Sequence, residues 1–224
     1  MEKLIAFVRL DLLSVKPYLT AKNMLLFLGI AVIIVLSSGT PASAIALLMM
    51  YGSLYTTYPF ATGDNDGIDA LYATLSVKRS TVVFGRYSFA FITNLASGLF
   101  ALVVSFLLAT VLRRSFDFQE ALAIALGAFV GFSLIQAIQY PVYFRLGYMK
   151  AKFYTYLPYV TFALLGAGVN VLVKNEHTLD RLKGIVQWMD ANSVITAIMA
   201  VCIWLALILI SCRLSLRYYK QRDF

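Results

Sequence analysis

The stretch GDNDGIDALYATLSVKRSTVVFGRY, residues 63–87, is the longest polar interruption between two apolar runs in the first half of the chain. Its start, rich in glycine and acidic residues, predicts a turn in which Asp64 or Asp66 caps a following helix. The stretch is too short and too polar to span a bilayer. It therefore predicts a helix that either lies on lipid headgroups or inserts into a groove on a cytoplasmic partner. Four apolar residues with helical spacing share one face of that helix: Ile68, Leu71, Tyr72 and Leu75.

The composition of the whole chain is that of a polytopic membrane protein. Of its 224 residues, 61% are hydrophobic and only 13% are charged, and the mean hydropathy is +0.80. These values exclude an ordinary soluble domain. A membrane span needs about 20 mostly apolar residues, so residues 1–224 form a single transmembrane domain. Cys202 and Cys212 lie ten residues apart in one apolar run and cannot pair with each other.

The hydropathy pattern predicts an all-α fold with six transmembrane helices. An interfacial helix over residues 2–16, ended by Pro17, precedes them, and a short outer-side helix falls in the loop 174–192 between spans five and six. On the interfacial helix one apolar side, bordered by Asp11, faces the bilayer or the bundle: Leu4, Ile5, Val8, Leu12 and Val15. The six predicted spans are residues 23–36, 42–60, 88–112, 118–144, 156–173 and 193–212.

The distribution of basic residues predicts the orientation. With the N-terminus inside, the inner segments carry 14 of the 19 Lys and Arg residues and the outer segments carry 5. This bias favours both termini in the cytoplasm of a multi-pass plasma-membrane protein. The segment 63–80 and a second loop, residues 145–155, then face the cytoplasm. Because the basic residues flank apolar runs, the net charge of +8 indicates topology rather than binding of nucleic acid.

The residues carry no signature of an enzyme. No charged residue falls in the middle of a predicted span, which argues against a proton- or sodium-coupled carrier. The single histidine, His177, predicts no metal site, and no P-loop or hydrolase motif is present. We therefore expect no catalytic, metal or cofactor residue in this chain, and any ATP-driven work needs a partner. Six milder polar residues are expected to bond neighbouring helices: Asn94, Ser97, Ser105, Gln136, Gln139 and Asn170.

These features together resemble the permease subunits of type-2 ATP-binding-cassette (ABC) exporters. Residues 64–79, with Gly85-Arg86-Tyr87 after them, are similar to that family's acidic turn, its LY-x-x-LP-x-x-R run and its GRY motif. Residues 141–151, PVYFRLGYMKA, resemble its second cytoplasmic signature. Ser76 stands where the family has proline. Within the family, the chain most resembles the permeases of the phenol-soluble modulin exporters of staphylococci.

The resemblance implies that the membrane-spanning part and the ATPase are separate subunits. Two permeases, identical or different, pair in the membrane, and each binds a separate cytoplasmic ATPase that holds ATP and Mg²⁺. The segment 63–80 is the expected coupling helix, the loop 145–155 is a second ATPase contact, and the expected cargo is an amphipathic peptide or another hydrophobic molecule. Eleven residues are the expected coupling set: Asp66, Ile68, Leu71, Tyr72, Leu75, Lys78, Arg79, Arg86, Arg145, Lys150 and Lys152.

Two other classes of function are compatible with the sequence. One is a carrier or channel that works without ATP, which charged residues in the middle of a span would favour. The other is a membrane protein that transports nothing, such as an immunity or assembly factor. An ATPase with a P-loop encoded beside this chain would favour the exporter over both.

Overall fold

A computed structural model describes residues 2–65, 72, 77–161, 164, 184, 187–189 and 191–222, and every regular element among them is helical. The all-helical class is therefore confirmed for this part of the chain. The 3-10 turns Lys16–Tyr18 and Lys152–Thr155 follow the first and seventh helices. The α-helices are α1 (Glu2–Val15), α2 (Ala21–Ser38), α3 (Ser43–Tyr55), α4 (Tyr58–Asn65), α5 (Arg79–Val111), α6 (Phe118–Leu146), α7 (Tyr148–Ala151) and α8 (Ser193–Gln221).

Four helices of the described part are long and apolar enough to cross a membrane: α2, α5, α6 and α8. They coincide with the first, third, fourth and sixth predicted spans. The fifth predicted span and the outer-side helix lie largely outside the described residues. The count of six spans and the cytoplasmic placement of both termini therefore stay predictions.

The predicted second span, residues 42–60, is two helices rather than one. Helix α3 has 13 residues, or about 20 Å at 1.5 Å per residue, and a turn at Thr56 and Thr57 separates it from α4. Pro59 explains the break, because it has no N–H to donate to a preceding carbonyl. In the turn, the hydroxyls of the two threonines donate to the carbonyls of Ser53 and Leu54, which also accept the threonine backbone N–H groups.

Two transmembrane helices run beyond their predicted ends. Helix α5 begins at Arg79 rather than at residue 88, and α8 continues to Gln221, so the basic tail after residue 212 is helical. Thirty-three residues make α5 about 50 Å long, which exceeds the roughly 30 Å of a bilayer's hydrocarbon core. Hydropathy marks where an apolar run ends, whereas these helices are continued by packing against other elements at the same end of the bundle.

Helix α6 passes through Pro141 without ending. The proline lacks the N–H that would normally bond the carbonyl of Ala137, four residues earlier. Ser211 of α8 replaces this donor, with 2.5 Å between its Oγ and the Ala137 oxygen. Ser211 in turn lies 2.5 Å from the hydroxyl of Tyr87 on α5. A proline near the end of a helix normally weakens that end. Here the hydrogen bond from α8 compensates for the missing donor.

We predict that Ser211→Ala destabilises the chain by about 1–2 kcal/mol, because it leaves the buried Ala137 carbonyl without this donor. In a Pro141→Ala background the same change should cost much less, since an alanine at this position supplies its own N–H to that carbonyl. The test compares the free energies of unfolding, in mixed micelles, of wild type, the two single variants and the double variant. Simply additive losses would show that Ser211 does not replace the proline's missing donor.

Helix α1 docks on the bundle through a different face from the predicted one. Four residues of α1 are buried: Phe7, Val8, Asp11 and Val15. Leu12, from the predicted apolar side, is 49% exposed, and the large apolar residues next to it on α1 are also exposed. The apolar stripe in the sequence placed Asp11 at its border. The structure places this residue inside, because a buried arginine on α5 pairs with it.

Two large buried clusters hold most of the described helices together, and a smaller third one packs α1 against α3 and α5. One joins α2, α3, α5 and α6 through residues such as Val35, Ile45 and Ala101. The other lies at the end of the bundle where the polar segments meet, and it brings Phe7, Phe60, Tyr72, Tyr143 and Tyr219 together. Each of these five residues comes from a different part of the chain. The second cluster is therefore the foundation of the candidate site.

Candidate functional site

Seven of the eleven expected coupling residues lie in the described part of the chain. Asp66, Ile68, Leu71 and Leu75 lie outside it. Four of the seven are exposed, Arg79 is half-buried, and Tyr72 and Arg86 are buried. The exposed residues are Lys78, Arg145, Lys150 and Lys152.

Tyr72 packs inside this chain. Its ring centroid lies 5.2 Å from that of Phe7 on α1, and only 6% of the residue is exposed. The backbone N–H of Val77 donates to the Tyr72 carbonyl at 3.1 Å. Tyr72 was expected to lie on the docking face, but its ring packs against Phe7 of the N-terminal helix.

Arg86 forms the buried link between α1 and α5. Its Nη1 lies 3.6 Å from Oδ1 of Asp11, and the two residues are 2% and 1% exposed. The guanidinium also lies 4.8 Å from the ring centroid of Phe60 and 5.8 Å from that of Phe7. Burying a charge is costly unless it is paired, so this arginine fixes the position of α1 rather than contacting a partner directly.

The neighbours of Arg86 explain the rest of its Gly-Arg-Tyr motif. A Cβ at Gly85 would overlap the Phe7 ring, so only glycine allows α1 to approach α5 this closely. Tyr87 lies 2.5 Å from Ser211 Oγ and 2.9 Å from Ser215 Oγ, both on α8. Three consecutive residues of α5 therefore attach it to the first and last helices of the chain.

Asp64 connects three elements at the start of the coupling segment. It lies in a helix, α4, rather than in a turn, and the helix that it was predicted to cap lies largely outside the described residues. Its Oδ2 accepts the backbone N–H of Met149 in α7 at 2.9 Å, and its Oδ1 lies 2.7 Å from Nη2 of Arg222. Gly147 makes this approach possible, because it has a φ of 77° and a Cβ there would crowd both charged groups.

The loop of residues 145–155 presents positive charge beside this junction. Lys150 and Lys152 are exposed, and the guanidinium of Arg145 lies 5.3 Å from the ring centroid of Tyr218 on α8. Tyr148 is half-buried between them and the bundle. Burial raises the pKa of the Tyr148 hydroxyl above its ordinary value, so it stays neutral and the two lysines dominate the charge of this surface.

Asn94, Gln136 and Ser105 bond other elements of the bundle, as predicted, whereas Ser97 donates to the Asn94 carbonyl within its own helix. Asn94 of α5 and Gln136 of α6 exchange two amide hydrogen bonds, of 2.8 and 3.1 Å. Gln136 also donates to Thr56, where the α3–α4 turn lies, at 3.1 Å. Ser105 donates to the carbonyl of Pro41 at 2.8 Å. Asn170 lies outside the described residues.

A cavity opens between α1, α2, α3 and α5. Its volume is about 300 Å³, and no charged residue lines it in the described part of the chain. Leucine, phenylalanine and tyrosine side chains form most of the wall, including Leu48, Tyr51, Tyr55 and Phe89. The wall suits a ligand with apolar side chains, for which the tyrosine hydroxyls provide polar contacts.

The contacts that sequence reasoning missed are those between residues far apart in the chain. Asp64 pairs with Arg222 across 158 positions, and Arg79 bonds the end of α8 across 140. Such pairs leave no periodic signal in one sequence. Asp11 gave a partial signal, since a lone carboxylate beside an apolar stripe predicts a buried cation opposite it.

Comparison with known families identifies the fold and the class of protein. The model of the family described as ABC-2 family transporter protein matches residues 7–220, which is nearly the whole chain. No curated protein and no solved structure matches the chain at a significant level. The match covers all or most of every described helix. The chain therefore belongs to the ABC-2 family of transporter proteins, whose members are the membrane-spanning permease of an ABC transporter and not its ATPase.

Proposed function

We propose that this chain is the permease subunit of an ABC exporter. It pairs with a second permease, each permease binds one cytoplasmic ATPase, and closure of the ATPases on ATP drives the export of an amphipathic peptide or another hydrophobic molecule. The observation that carries the proposal is the convergence of four sequence-distant elements at one end of the bundle. The ends of α4 and α8, the start of α5 and the loop containing α7 meet there.

Exposed charge supports this end of the bundle as the ATPase contact. Lys78 lies at one edge, and Arg145, Lys150 and Lys152 lie on or beside the second loop. Basic side chains on a rim favour an acidic partner surface and speed its association. The apolar coupling residues would add the buried contact that holds a helix in a groove.

The apolar cavity supports a hydrophobic or amphipathic cargo. Its volume of about 300 Å³ is at the small end of the range for ligand sites, so it accommodates a few side chains rather than a whole peptide. A peptide would therefore place one apolar face there and leave its polar face toward a path between two permeases.

Purification of the tagged chain from its native cells tests the proposal. We expect a P-loop ATPase to copurify, and we expect the complex to hydrolyse ATP while the isolated permease does not. In proteoliposomes the complex should move a fluorescent amphipathic helical peptide in an ATP-dependent manner. Hydrolysis by the contaminant-free permease alone, or a purified chain without any ATPase partner, would contradict the proposal.

A further inference from the structure

Both ends of the coupling segment, residues 63–80, contact the same short stretch of the chain, residues 219–222. At its start, Asp64 Oδ1 lies 2.7 Å from Nη2 of Arg222. At its end, Arg79 Nη1 donates to the carbonyls of Tyr219 and Lys220, at 2.8 and 2.6 Å. Residues 219–222, where α8 ends, thus contact both ends of the segment. We call these four residues the C-terminal clasp.

The chemistry of a helix end makes the Arg79 contact favourable. The last carbonyls of an α-helix have no intrahelical donor and carry partial negative charge. A guanidinium provides several donors in a fixed geometry, and Arg79 uses one nitrogen for two of these carbonyls. The contact is thus a C-terminal cap supplied by another helix.

The Arg222 contact is stronger than an ordinary surface ion pair. The side chains of Arg222 and Asp64 are 20% and 18% exposed, so water screens their attraction less than at an open surface. The clasp itself is anchored, because Tyr219 is 2% exposed and its ring centroid lies 5.1 Å from that of Phe144 on α6. The ion pair between Arg222 and Asp64 therefore fixes Asp64 to a rigid part of the bundle.

Asp64 extends the arrangement to the second loop. While its Oδ1 contacts Arg222, its Oδ2 accepts the N–H of Met149 at the start of α7. The clasp thereby contacts, directly or through Asp64, both regions that the proposed function places against the ATPase. The clasp therefore holds the coupling segment and the second loop in one arrangement.

We infer that the C-terminal clasp positions the coupling segment and the second loop for simultaneous contact with the ATPase, and that Arg79 and Arg222 are its positioning residues. The inference rests on the proposed function. Two contact regions fixed in advance bind a partner more tightly than two that must be ordered during binding. The clasp thus supplies the preorganisation of the docking surface.

The first test uses the permease alone in lipid nanodiscs, with Lys-C cleavage after Lys78 as the probe of local opening. Arg222→Gln should raise the cleavage rate at Lys78 by roughly threefold to tenfold, while Arg222→Lys should stay near wild type. Arg217→Gln, an exposed residue on the same helix, is the matched control and should change nothing. Cleavage after Lys22, on α2, reports general unfolding. An unchanged rate at Lys78, or an equal rise at Lys22, would overturn the inference.

The second test uses the assembled complex and separates positioning from mere stability. Arg222→Gln and Arg79→Gln should each raise the ATPase concentration needed for half-maximal ATP hydrolysis by roughly threefold to tenfold, with the maximal rate largely kept. If the wild-type complex hydrolyses ATP and both variants match Arg217→Gln, the clasp has no positioning role. If the wild type binds no ATPase, the proposed function fails instead, whatever the cleavage assay shows.

Discussion

Asp11→Ala is expected to destabilise the protein by about 3–5 kcal/mol, the range found when one partner of a buried ion pair is removed. The change removes a carboxylate 3.6 Å from Arg86 inside a cluster of aromatic rings, where only 2% of the arginine is exposed. The rings of Phe60 and Phe7 offset part of that loss. Equilibrium unfolding in mixed micelles measures the difference.

A double replacement distinguishes a broken ion pair from a packing defect. In Asp11→Leu with Arg86→Met, both charges are absent and the volume is approximately kept, so stability should return to within about 1–2 kcal/mol of wild type. Arg9→Ala, an exposed change on the same helix, should alter stability by about 0.5 kcal/mol or less. A double variant as unstable as Asp11→Ala would mean that the pair contributes through shape and not through charge.

Leu71→Asp is expected to weaken binding of the partner ATPase at least tenfold. Leu71 is the second residue of the apolar stripe in the coupling segment, and burying a leucine contributes roughly 1.5–3 kcal/mol. A carboxylate in the same groove would be buried without a partner, which costs more than the lost contact. Since about 1.4 kcal/mol corresponds to a factor of ten, pull-down of the ATPase with the tagged permease should detect the change.

Asp69→Asn is the matched control for that experiment, because Asp69 lies off the stripe and the variant removes a charge rather than adding one. It should retain the ATPase nearly as well as wild type, and both variants should still insert in the membrane. Equal recovery of the ATPase by Leu71→Asp and Asp69→Asn would assign the segment to the lipid surface. Tyr72→Ala would not serve here, since Tyr72 is buried against Phe7 and its loss should reduce stability first.

Hydropathy and spacing predicted the fold at the level of class and of the longest helices. The apolar runs of α2, α5, α6 and α8 are strong signals because a bilayer requires about 20 apolar residues. The break at Thr56 and Thr57 was missed, although Pro59 marked it, because the surrounding run is apolar throughout. The added lengths of α5 and α8 could not be predicted, since they depend on packing beyond the membrane.

The candidate site was predicted by region but not by contact. The coupling segment and the second loop were both expected at one surface, and Asp64 indeed lies beside Met149. The role of Arg86 differs from the expected one, because an arginine at the start of an apolar run suits a surface as well as a buried pair. Only the three-dimensional packing selects Asp11 as its partner.

The length of α5 gives the molecule a mechanical property. This helix is one uninterrupted rod of 33 residues, and Arg86 and Gly85 attach it to α1 near one end. At 1.5 Å per residue, about 10 Å of the rod lies between Arg79 and Arg86 and about 37 Å lies between Arg86 and Val111. If the rod rocks about its attachment at Arg86, the far end moves between three and four times as far as the near end, by the ratio of these two arms. A displacement of about 1 Å at Arg79 then becomes one of more than about 3 Å at Val111.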